Sequence, residues 1–349
     1  MGRSVVGLDI GTTAVRGAEL AVRRGRVVLD RFAQVALPSG AVVEGEVADP
    51  DVVAATLKVL WRRGRFGSRR VVMGVANQRV VVRIVDLPWM ERDELRRSLR
   101  FQVQEFIPIP VDDAELDFDV LGEHEGGGGQ RLMRVLLVAA QKEMVDGHVR
   151  AGMNAGLEPV GIDLTPFALV RSLAPEGGTP LAEAGEALID VGAKVTNIVV
   201  HSGGAPRFVR ILLMGGQDVT DALRTGLDLE PDSAEQAKLE AAAGTAQDPD
   251  VDRILEQRIG LFAEEVRGSL DFYRAQSDAV PVRRVLLSGG GSRLAPLAEQ
   301  LADALHLPVE PGRTLQALHV GRVGLDPEEL AELEPVAAVP VGLALGEEA

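Results

Sequence analysis

The chain has 349 residues, 46% of them apolar and 26% charged, so it is a globular protein large enough for two domains or one large two-lobed domain. Its formal net charge is −15 at pH 7, which excludes a nucleic-acid-binding protein because phosphate backbones are bound by basic surfaces. The absence of cysteine excludes disulfides, zinc–thiolate sites and thiol nucleophiles. No stretch approaches the ~20 apolar residues that span a bilayer, so we expect no direct membrane insertion.

The first predicted strand ends at a polar corner in the stretch VVGLDIGTTAVRGAEL, residues 5–20. Asp9 ends the strand, and Gly11, Thr12 and Thr13 form the corner before a second strand begins. Glycine lets a ligand approach the backbone N–H groups closely, and threonine hydroxyls add hydrogen-bond donors. The corner is therefore a candidate phosphate-binding loop, and a plain hairpin turn is the alternative.

Residues 78–155 follow a pattern of their own, after a helix expected over about 49–61 and a buried strand expected over 71–77. The stretch predicts strand, helix, strand, strand and helix in that order. Pro108 and Pro110 end its first helix, because proline cannot continue a helical hydrogen-bond ladder. We interpret residues 78–155 as a small inserted α+β unit.

The second half of the chain repeats the pattern of the first. A segment rich in glycine and proline, 174–186, favours a boundary between two lobes. After it, the stretch LIDVGAKVTNIVV places Asp190 at the end of an apolar strand, as Asp9 is placed in the first half. The residues of this second corner are Gly192, Ala193, Lys194 and Thr196. The repetition indicates two related lobes that face each other across a cleft.

The two aspartates need an explanation, because a carboxylate repels phosphate. Mg²⁺ keeps most of its waters and is held by one or two carboxylates, directly or through those waters. We therefore expect Asp9 and Asp190 to hold a hydrated Mg²⁺, through water, against a polyphosphate.

A third glycine-rich loop follows a predicted strand in VRRVLLSGGGSRL, residues 282–294. Gly289, Gly290 and Gly291 lead from this strand into a helix, where a flat base or a phosphate can lie against bare backbone. The stretch matches neither the dinucleotide-binding pattern nor the Walker A pattern. A tight connection from strand to helix is the alternative.

Two more pairs of residues lie upstream of this loop. Gly215 and Gly216 precede a predicted helix, and Glu235 and Lys238 lie three positions apart on the next one. The alternative for Glu235 and Lys238 is an exposed ion pair on a helix surface, which stabilises a protein by only ~0.3–0.5 kcal/mol.

Together these motifs resemble the actin-like ATPase superfamily. LDIGTTAVRGAEL and LIDVGAKVTNIVV are similar to its two phosphate loops, and LLSGGGSRL is similar to its adenosine loop. GGQDVTDAL followed by AEQAK resembles the branch that contains FtsA and MreB, in which the Glu and the Lys approach the nucleoside. ELRRSLRFQVQEFIPIPVDDAELDFDVL and EVRGSLDFYRAQ resemble the PilM family of type IV pilus assembly.

The resemblance implies an α/β, two-lobed actin-like ATPase fold, with duplicated RNase H-like lobes and an inserted small α+β subdomain. The first lobe would comprise residues 1–77 and 156–185 with part of 325–349. The inserted unit would comprise 78–155, and the second lobe 186–324.

The resemblance also implies a cytoplasmic protein that binds ATP and Mg²⁺ and docks the short cytoplasmic N-terminus of PilN, an inner-membrane protein. The partner would recruit the chain to the inner face of the cytoplasmic membrane, and the resemblance names pilus motor ATPases as further partners. The rigid apolar turn Ile107, Pro108, Ile109 and Pro110 is expected to line the peptide groove, with packing against its own sheet as the alternative. The alternative functions are an FtsA-like cell-division ATPase and a small-molecule kinase of the same fold.

The sequence shows no evident base that would activate water, since Asp9 and Asp190 are assigned to the metal. We therefore expect at most a slow ATPase. Ala193 and Lys194 stand where many relatives in the wider superfamily carry Gly or Thr. Two orientations are open for Lys194, toward a phosphate or toward solvent.

Overall fold

The computed structural model describes residues 4–23, 25–174, 184–245, 248–321, 323 and 326–346. Most of the boundary segment expected at 174–186 lies outside the described residues, as do residues 325 and 347–349 of the C-terminal segment.

The described strands and helices alternate along the chain as an α/β protein requires. The strands are β1 (Val6–Ile10), β2 (Ala14–Arg23), β3 (Arg26–Ala36), β4 (Val42–Val43), β5 (Glu46–Val47), β6 (Arg70–Val75), β7 (Val81–Pro88), β8 (Ala114–Glu125), β9 (Arg131–Gln141), β10 (Glu158–Leu164), β11 (Gly185–Val191), β12 (Thr196–Ser202), β13 (Ala205–Leu212), β14 (Val282–Ser288), β15 (Val309–Pro311) and β16 (His319–Val320). The helices are α1 (Pro50–Gly64), α2 (Arg92–Gln102), α3 (Lys142–Asn154), α4 (Thr165–Leu173), α5 (Gly216–Gly226), α6 (Pro231–Ala242), α7 (Pro249–Arg274), α8 (Ala295–Leu305) and α9 (Pro327–Leu345).

Two sheets of related topology form the body of the molecule. The first has the strand order β10-β6-β1-β2-β3-β16, and the second has the order β13-β12-β11-β14-β15. In each sheet the strand that carries the aspartate pairs antiparallel with the strand after the corner and parallel with a later strand. This repetition confirms the expected α/β fold of two duplicated lobes.

Helices α4 and α9 fill the space between the two sheets. Their apolar side chains form one core with residues of both sheets, among them Val72 of the first and Leu188 of the second. The packing is close, because a Cβ atom on Gly342 of α9 would lie 1.9 Å from the carbonyl oxygen of Ala168 on α4. The outer face of the first sheet is covered by α1 and α3, and that of the second by α5, α7 and α8.

The inserted unit is a three-stranded sheet of order β7-β9-β8 with α2 packed on it. Helix α3 follows this sheet in the chain but packs with α1 against the first lobe, through Ala151 and Ala155. The domain boundaries stay a prediction, and we propose on this packing that the inserted unit ends before Lys142. No helix in the described ranges is long and apolar enough to cross a bilayer.

Candidate functional site

The first corner holds its aspartate beside an arginine. Asp9 lies directly opposite Arg16 in the pairing of β1 with β2, and Arg16 Nη1 donates to Asp9 Oδ2 over 3.0 Å. The Gly11 N–H donates to the Ala14 carbonyl over 3.0 Å and closes the corner. Thr12 is half-buried and Thr13 is exposed at its tip. The corner therefore presents small polar residues next to a carboxylate that already has a cation.

The second corner holds its aspartate in a row of polar residues across three strands. Asp190 on β11 lies between Asn197 on β12 and Ser288 on β14. The Ser288 hydroxyl donates to Asp190 Oδ1 over 2.9 Å. Burial first and the negative charge of Asp9 second raise the pKa of Asp190 to about 6, whereas Ser288, Arg16 and Asn197 oppose the rise. The charges of Asp9 and Arg16 act on Asp190 across the cleft, so the two corners face each other.

The start of α5 is fastened to the second corner by main-chain hydrogen bonds. The N–H groups of Gly216 and Gln217 donate to the carbonyls of Gly192 and Ala193 over 2.9 and 2.8 Å. A Cβ atom on Gly215 would lie 2.3 Å from the Gly192 carbonyl oxygen, so only glycine fits there. Thr196, fully buried, donates its hydroxyl to the Met214 carbonyl and holds this segment in place.

The third glycine loop packs onto the same corner. Gly289 has a φ of +86°, and a Cβ atom there would lie 2.4 Å from the Val191 carbonyl oxygen. A Cβ atom on Gly291 would lie 2.5 Å from Val191 Cγ1. Gly290 differs from both, because a Cβ atom on it would have no atom within 4 Å. The loop is thus held at Gly289 and Gly291 and open at Gly290.

The side chain of Lys194 points neither toward a phosphate nor toward solvent, which were the two orientations that the sequence left open. Its Nζ donates to Asp218 Oδ1 and Asp221 Oδ2 on α5, over 2.9 and 2.6 Å. Partial burial alone would lower the pKa of Lys194, but the hydrogen bonds to Asp221 and Asp218 outweigh it and raise the pKa. Lys194 therefore fastens the second corner to α5.

Glu235 and Lys238 link α6 to α5 as an ion pair that is buried at Lys238 and 42% exposed at the Glu235 side chain, so the expected alternative of an exposed ion pair describes only Glu235. Lys238 is only 9% exposed and donates to the Gly216 carbonyl and to Thr220 Oγ1. Glu235 Oε2 lies 2.7 Å from Lys238 Nζ and accepts from Thr220 Oγ1 over 2.6 Å. This brings Glu235 and Lys238 next to Gly216 and the second corner.

The donor set at the two corners fits a hydrated divalent cation. Burial first and the negative charge of Asp9 second raise the pKa of Asp190, and Arg16 compensates that charge only in part. Within the described ranges, no group of three or more His, Asp or Glu side chains is placed to hold a metal ion. Two carboxylates suit an ion that is held by one or two carboxylates and keeps most of its waters. Mg²⁺ binds proteins in this way.

The apolar turn of the inserted unit is divided between core and surface. Ile107 is buried and Ile109 is half-buried, and both pack into the unit's own core. Pro108 and Pro110 are exposed. For the two isoleucines, the structure thus shows the packing against their own sheet that the sequence left as the alternative. Phe101 on α2, which the sequence analysis did not single out, is 83% exposed.

Arg16, Asn197, Ser288 and Thr220 also escaped the sequence analysis. Arg16 and Asn197 each lie seven residues after their aspartate, across the hairpin, and this repeated spacing was the available signal.

Comparisons with known proteins support an actin-like fold. FtsA of Bacillus subtilis (strain 168) is 22% identical over 277 residues, which cover 72% of this chain and 61% of that protein, less than two thirds of its length. The structure of MreB5 of Spiroplasma citri bound to AMPPNP has a TM-score of 0.55 at 12% identity, and the match covers 100% of this chain and 97% of that one. At this identity the likeness shows the fold alone.

A more similar solved structure is described as the PilM-PilN type IV pilus biogenesis complex. Its matching chain has a TM-score of 0.86 and 30% identity, and the match covers 98% of this chain and 97% of that one. The model of the family described as type IV pilus assembly protein PilM matches residues 7–348. The sequence motifs, the two-lobed fold and this match over almost the whole length agree, and the chain belongs to the PilM family.

Proposed function

We propose that the chain is a cytoplasmic protein of type IV pilus assembly that binds Mg²⁺ and ATP between its lobes and docks the N-terminal segment of a PilN-like inner-membrane protein. Nucleotide binding is supported by one observation: four segments that contain glycine lie around two aspartates that face each other. The likeness to a chain of the PilM-PilN complex carries the partner part.

Each part of the cleft has a role in this proposal. The backbone of Gly11 with Thr12 and Thr13, and the backbone of Gly192 and Ala193, would contact the phosphates. Gly290 would contact the adenosine, since a Cβ atom on Gly290 would have open space around it. Asp9 and Asp190 would hold Mg²⁺ through its waters, and the metal would supply positive charge against the phosphates. Glu235 and Lys238 would border the nucleoside beside Gly216.

Hydrolysis in such a site would be slow at best. A general base must lie about 2.6–3.2 Å from the attacking water, directly or through one further water. Asp9 is paired with Arg16, and Asp190 accepts from Ser288, and both carboxylates are assigned to the metal. The site would therefore hold ATP longer than it turns ATP over.

Thermal unfolding tests the nucleotide part. A ligand that binds only the folded chain stabilises it by RT ln(1 + [L]/Kd), which is about 2.7 kcal/mol at a hundredfold excess over Kd. We expect Mg²⁺ with ATP to raise the unfolding temperature more than Mg²⁺ alone or ATP with EDTA. Equal unfolding temperatures in all three conditions would contradict nucleotide binding.

Fluorescence anisotropy tests the partner part. The probe is a labelled peptide that copies the cytoplasmic N-terminal sequence of a PilN-like protein. Phe101→Ser should weaken its binding, because the exposed ring of Phe101 lies on the inserted unit, where we place the groove. Phe272→Ser is the control, since Phe272 is 59% exposed on the second lobe. Equal affinity of the two variants and the unchanged chain would remove Phe101 from the docking surface.

A further inference from the structure

One segment of this acidic chain is strongly basic. Residues 52–85 contain eight lysines and arginines and no aspartate or glutamate, whereas the whole chain has 37 basic and 52 acidic residues. Five of the eight lie in the second half of α1 and in the loop that joins α1 to β6: Lys58, Arg62, Arg63, Arg65 and Arg69. We call these five residues the basic end of α1. Positive charge is thus concentrated at one place on a chain of net charge −15.

The charges of the basic end are exposed and are not paired with carboxylates. Four of its side chains form no hydrogen bond or ion pair with any residue that the structure describes: Lys58, Arg62, Arg63 and Arg65. Arg69 is exposed too, and its Nη1 donates to the main-chain carbonyl of Gly156 over 2.9 Å. Glu19 accepts from the Gly67 N–H of the loop, but its side chain is 7% exposed and lies 3.4 Å from Arg31. The basic end therefore keeps its charge available for an external anion.

The loop that carries these arginines is held in shape by aromatic packing beneath it. Trp61 Nε1 donates to the Ser68 carbonyl over 2.9 Å, and the ring centroids of Trp61 and Phe66 lie 5.0 Å apart. Phe66 packs closely on β2, because a Cβ atom on Gly17 would lie 2.8 Å from Phe66 Cζ. Both aromatic side chains pack onto the core of the first lobe. The backbone of the basic end is therefore fixed before any partner binds.

Arg65 is a costly residue at its position. It follows the last turn of α1 with φ +50° and ψ +39°, in the left-handed region, where glycine is the residue that most often ends a helix. Arg62 and Arg63 have a structural explanation, because positive charge in the last turn of a helix interacts favourably with its dipole. Arg65 has no such explanation, since its side chain contacts no described partner. A role for Arg65 outside folding accounts for its presence.

We propose that the basic end of α1 contacts the anionic phospholipid headgroups of the membrane to which the chain is recruited. Unpaired guanidinium groups bind phosphate oxygens through charge-assisted hydrogen bonds. Val59 is 39% exposed and lies three and four positions before Arg62 and Arg63, so an apolar side chain shares their helix face, as on helices that lie against a membrane surface. The choice of a membrane as partner rests on the proposed recruitment by a PilN-like protein.

The negative charge of the rest of the chain does not prevent this contact. At physiological salt, charges more than ~8 Å apart in water are largely screened, so the membrane surface interacts mainly with the side chains nearest to it. The contact is weak by itself and adds to the tether that the PilN-like protein provides, because stable attachment to a membrane takes two such signals. Nucleotide binding plays no part in it.

Flotation of the full chain with lipid vesicles tests the proposal without any PilN-like protein. The vesicles contain phosphatidylglycerol mixed with phosphatidylcholine, or phosphatidylcholine alone. We expect the chain to float with the first kind only, and less of it at high salt. The triple variant Arg62→Gln, Arg63→Gln, Arg65→Gln should bind about a hundredfold more weakly, because each basic side chain near an anionic surface contributes about fivefold.

Two further variants control for net charge and for folding. A second triple variant changes three exposed arginines of α7 to glutamine, has the same net charge as the first and should bind vesicles as the unchanged chain does: Arg253, Arg267 and Arg274. Arg65→Gly should raise the unfolding temperature, because glycine suits φ +50°, and should still bind the vesicles about fivefold more weakly. A variant that is more stable and binds more weakly cannot owe its loss to unfolding.

The outcomes separate this inference from the proposed function. Equal vesicle binding by the two triple variants, or equal binding of the unchanged chain to both kinds of vesicle, overturns the inference. Binding to polyglutamate or to a DNA duplex as tight as to the anionic vesicles overturns the assignment to lipid. Binding of the PilN-like peptide should be the same in all the variants. If the unchanged chain binds anionic vesicles but not that peptide, the partner part of the proposed function is wrong and the lipid contact stands.

Discussion

Asp190 lies at the end of β11 with 9% of its surface exposed, and burial and the charge of Asp9 raise its pKa to about 6. In the unfolded chain an aspartate titrates near ~3.9. The folded chain therefore binds this proton more tightly than the unfolded chain does. It follows that the ionised carboxylate destabilises the metal-free fold above pH 6, and that this destabilisation fades as the pH falls toward 4.

Asp190→Asn should stabilise the metal-free chain at pH 7.5 by about 1–3 kcal/mol, since a difference of about two pKa units corresponds to nearly 3 kcal/mol. The gain over the unchanged chain should shrink at pH 5. Urea unfolding in EDTA at the two pH values measures both. Asp112→Asn is the control, because the Asp112 side chain is 96% exposed, and its effect should be the same at both pH values. A gain for Asp190→Asn that does not change with pH would contradict the account.

The sequence identified the site residues that belong to a local pattern and missed those that depend on register. Asp9 and Asp190 follow apolar strands and precede glycines, so the pattern alone indicates them. Arg16, Asn197 and Ser288 reach the aspartates through strand pairing. A shift of one residue in register would turn each of these side chains to the other face of its sheet, and the sequence does not fix register that closely.

At the scale of the structural elements, a substitution in the third glycine loop tests the proposed adenosine contact. Gly290→Val should lower the affinity for ATP at least tenfold without unfolding the chain, because its side chain would enter open space that we assign to the adenosine. Gly122→Val on β8 is the matched control, since a Cβ atom there also has no atom within 4 Å and the residue lies outside the cleft. Calorimetry and thermal unfolding of both variants check this. Unchanged ATP affinity in Gly290→Val would remove Gly290 from the site.

Helix α9 contains Pro335 and Pro340, and a local sequence pattern does not predict a helix through them, because each proline removes a helical hydrogen bond. The structure has both prolines inside α9, with a buried apolar surface packed on both sheets. Carbonyl groups of α9 also accept from both lobes: Gly289 N donates to Pro335, and Arg171 Nε donates to Gly342. Tertiary packing and these bonds offset the loss that proline causes, and neither is visible in a local pattern.

Two glycines in helices should respond to alanine with opposite signs. Gly342→Ala should destabilise the chain by about 2–3 kcal/mol or more, because the new Cβ atom would lie 1.9 Å from the Ala168 carbonyl oxygen. Gly268→Ala on α7 should stabilise it by about 0.5–1 kcal/mol, since a Cβ atom there meets nothing and alanine favours the helix. Urea unfolding measures both changes. Similar effects from both substitutions would contradict the close packing of α4 and α9.

At the scale of the whole molecule, the inserted unit is separated in sequence from the proposed nucleotide-binding loops, but it contacts both lobes. Its strand β9 leads directly into α3 on the first lobe. Arg134 Nη1 of the same strand lies 3.8 Å from Asp278 Oδ2 of the second lobe. Its first and last strands pair with Val81 opposite Ala139, so the two chain ends that enter and leave the unit are close together.

Removal of residues 81–141, with a short glycine–serine linker in their place, should leave ATP binding intact and abolish binding of the PilN-like peptide. The first result is expected because the nucleotide segments lie in the two lobes, and the second because we place the groove on the inserted unit. Calorimetry with ATP shows that the shortened chain is folded. Peptide binding that survives in a shortened chain that still binds ATP would place the docking site elsewhere.

The central claim is that the two facing aspartates hold Mg²⁺ against a nucleotide. It is tested most directly by calorimetric titration of ATP, in Mg²⁺ and in EDTA, into the unchanged chain and Asp190→Ala. The account predicts tighter binding in Mg²⁺ for the unchanged chain, and equal affinity in the two conditions for the variant, because one of the two carboxylates is gone. A variant that keeps the full effect of Mg²⁺, or an unchanged chain that shows none, would contradict it.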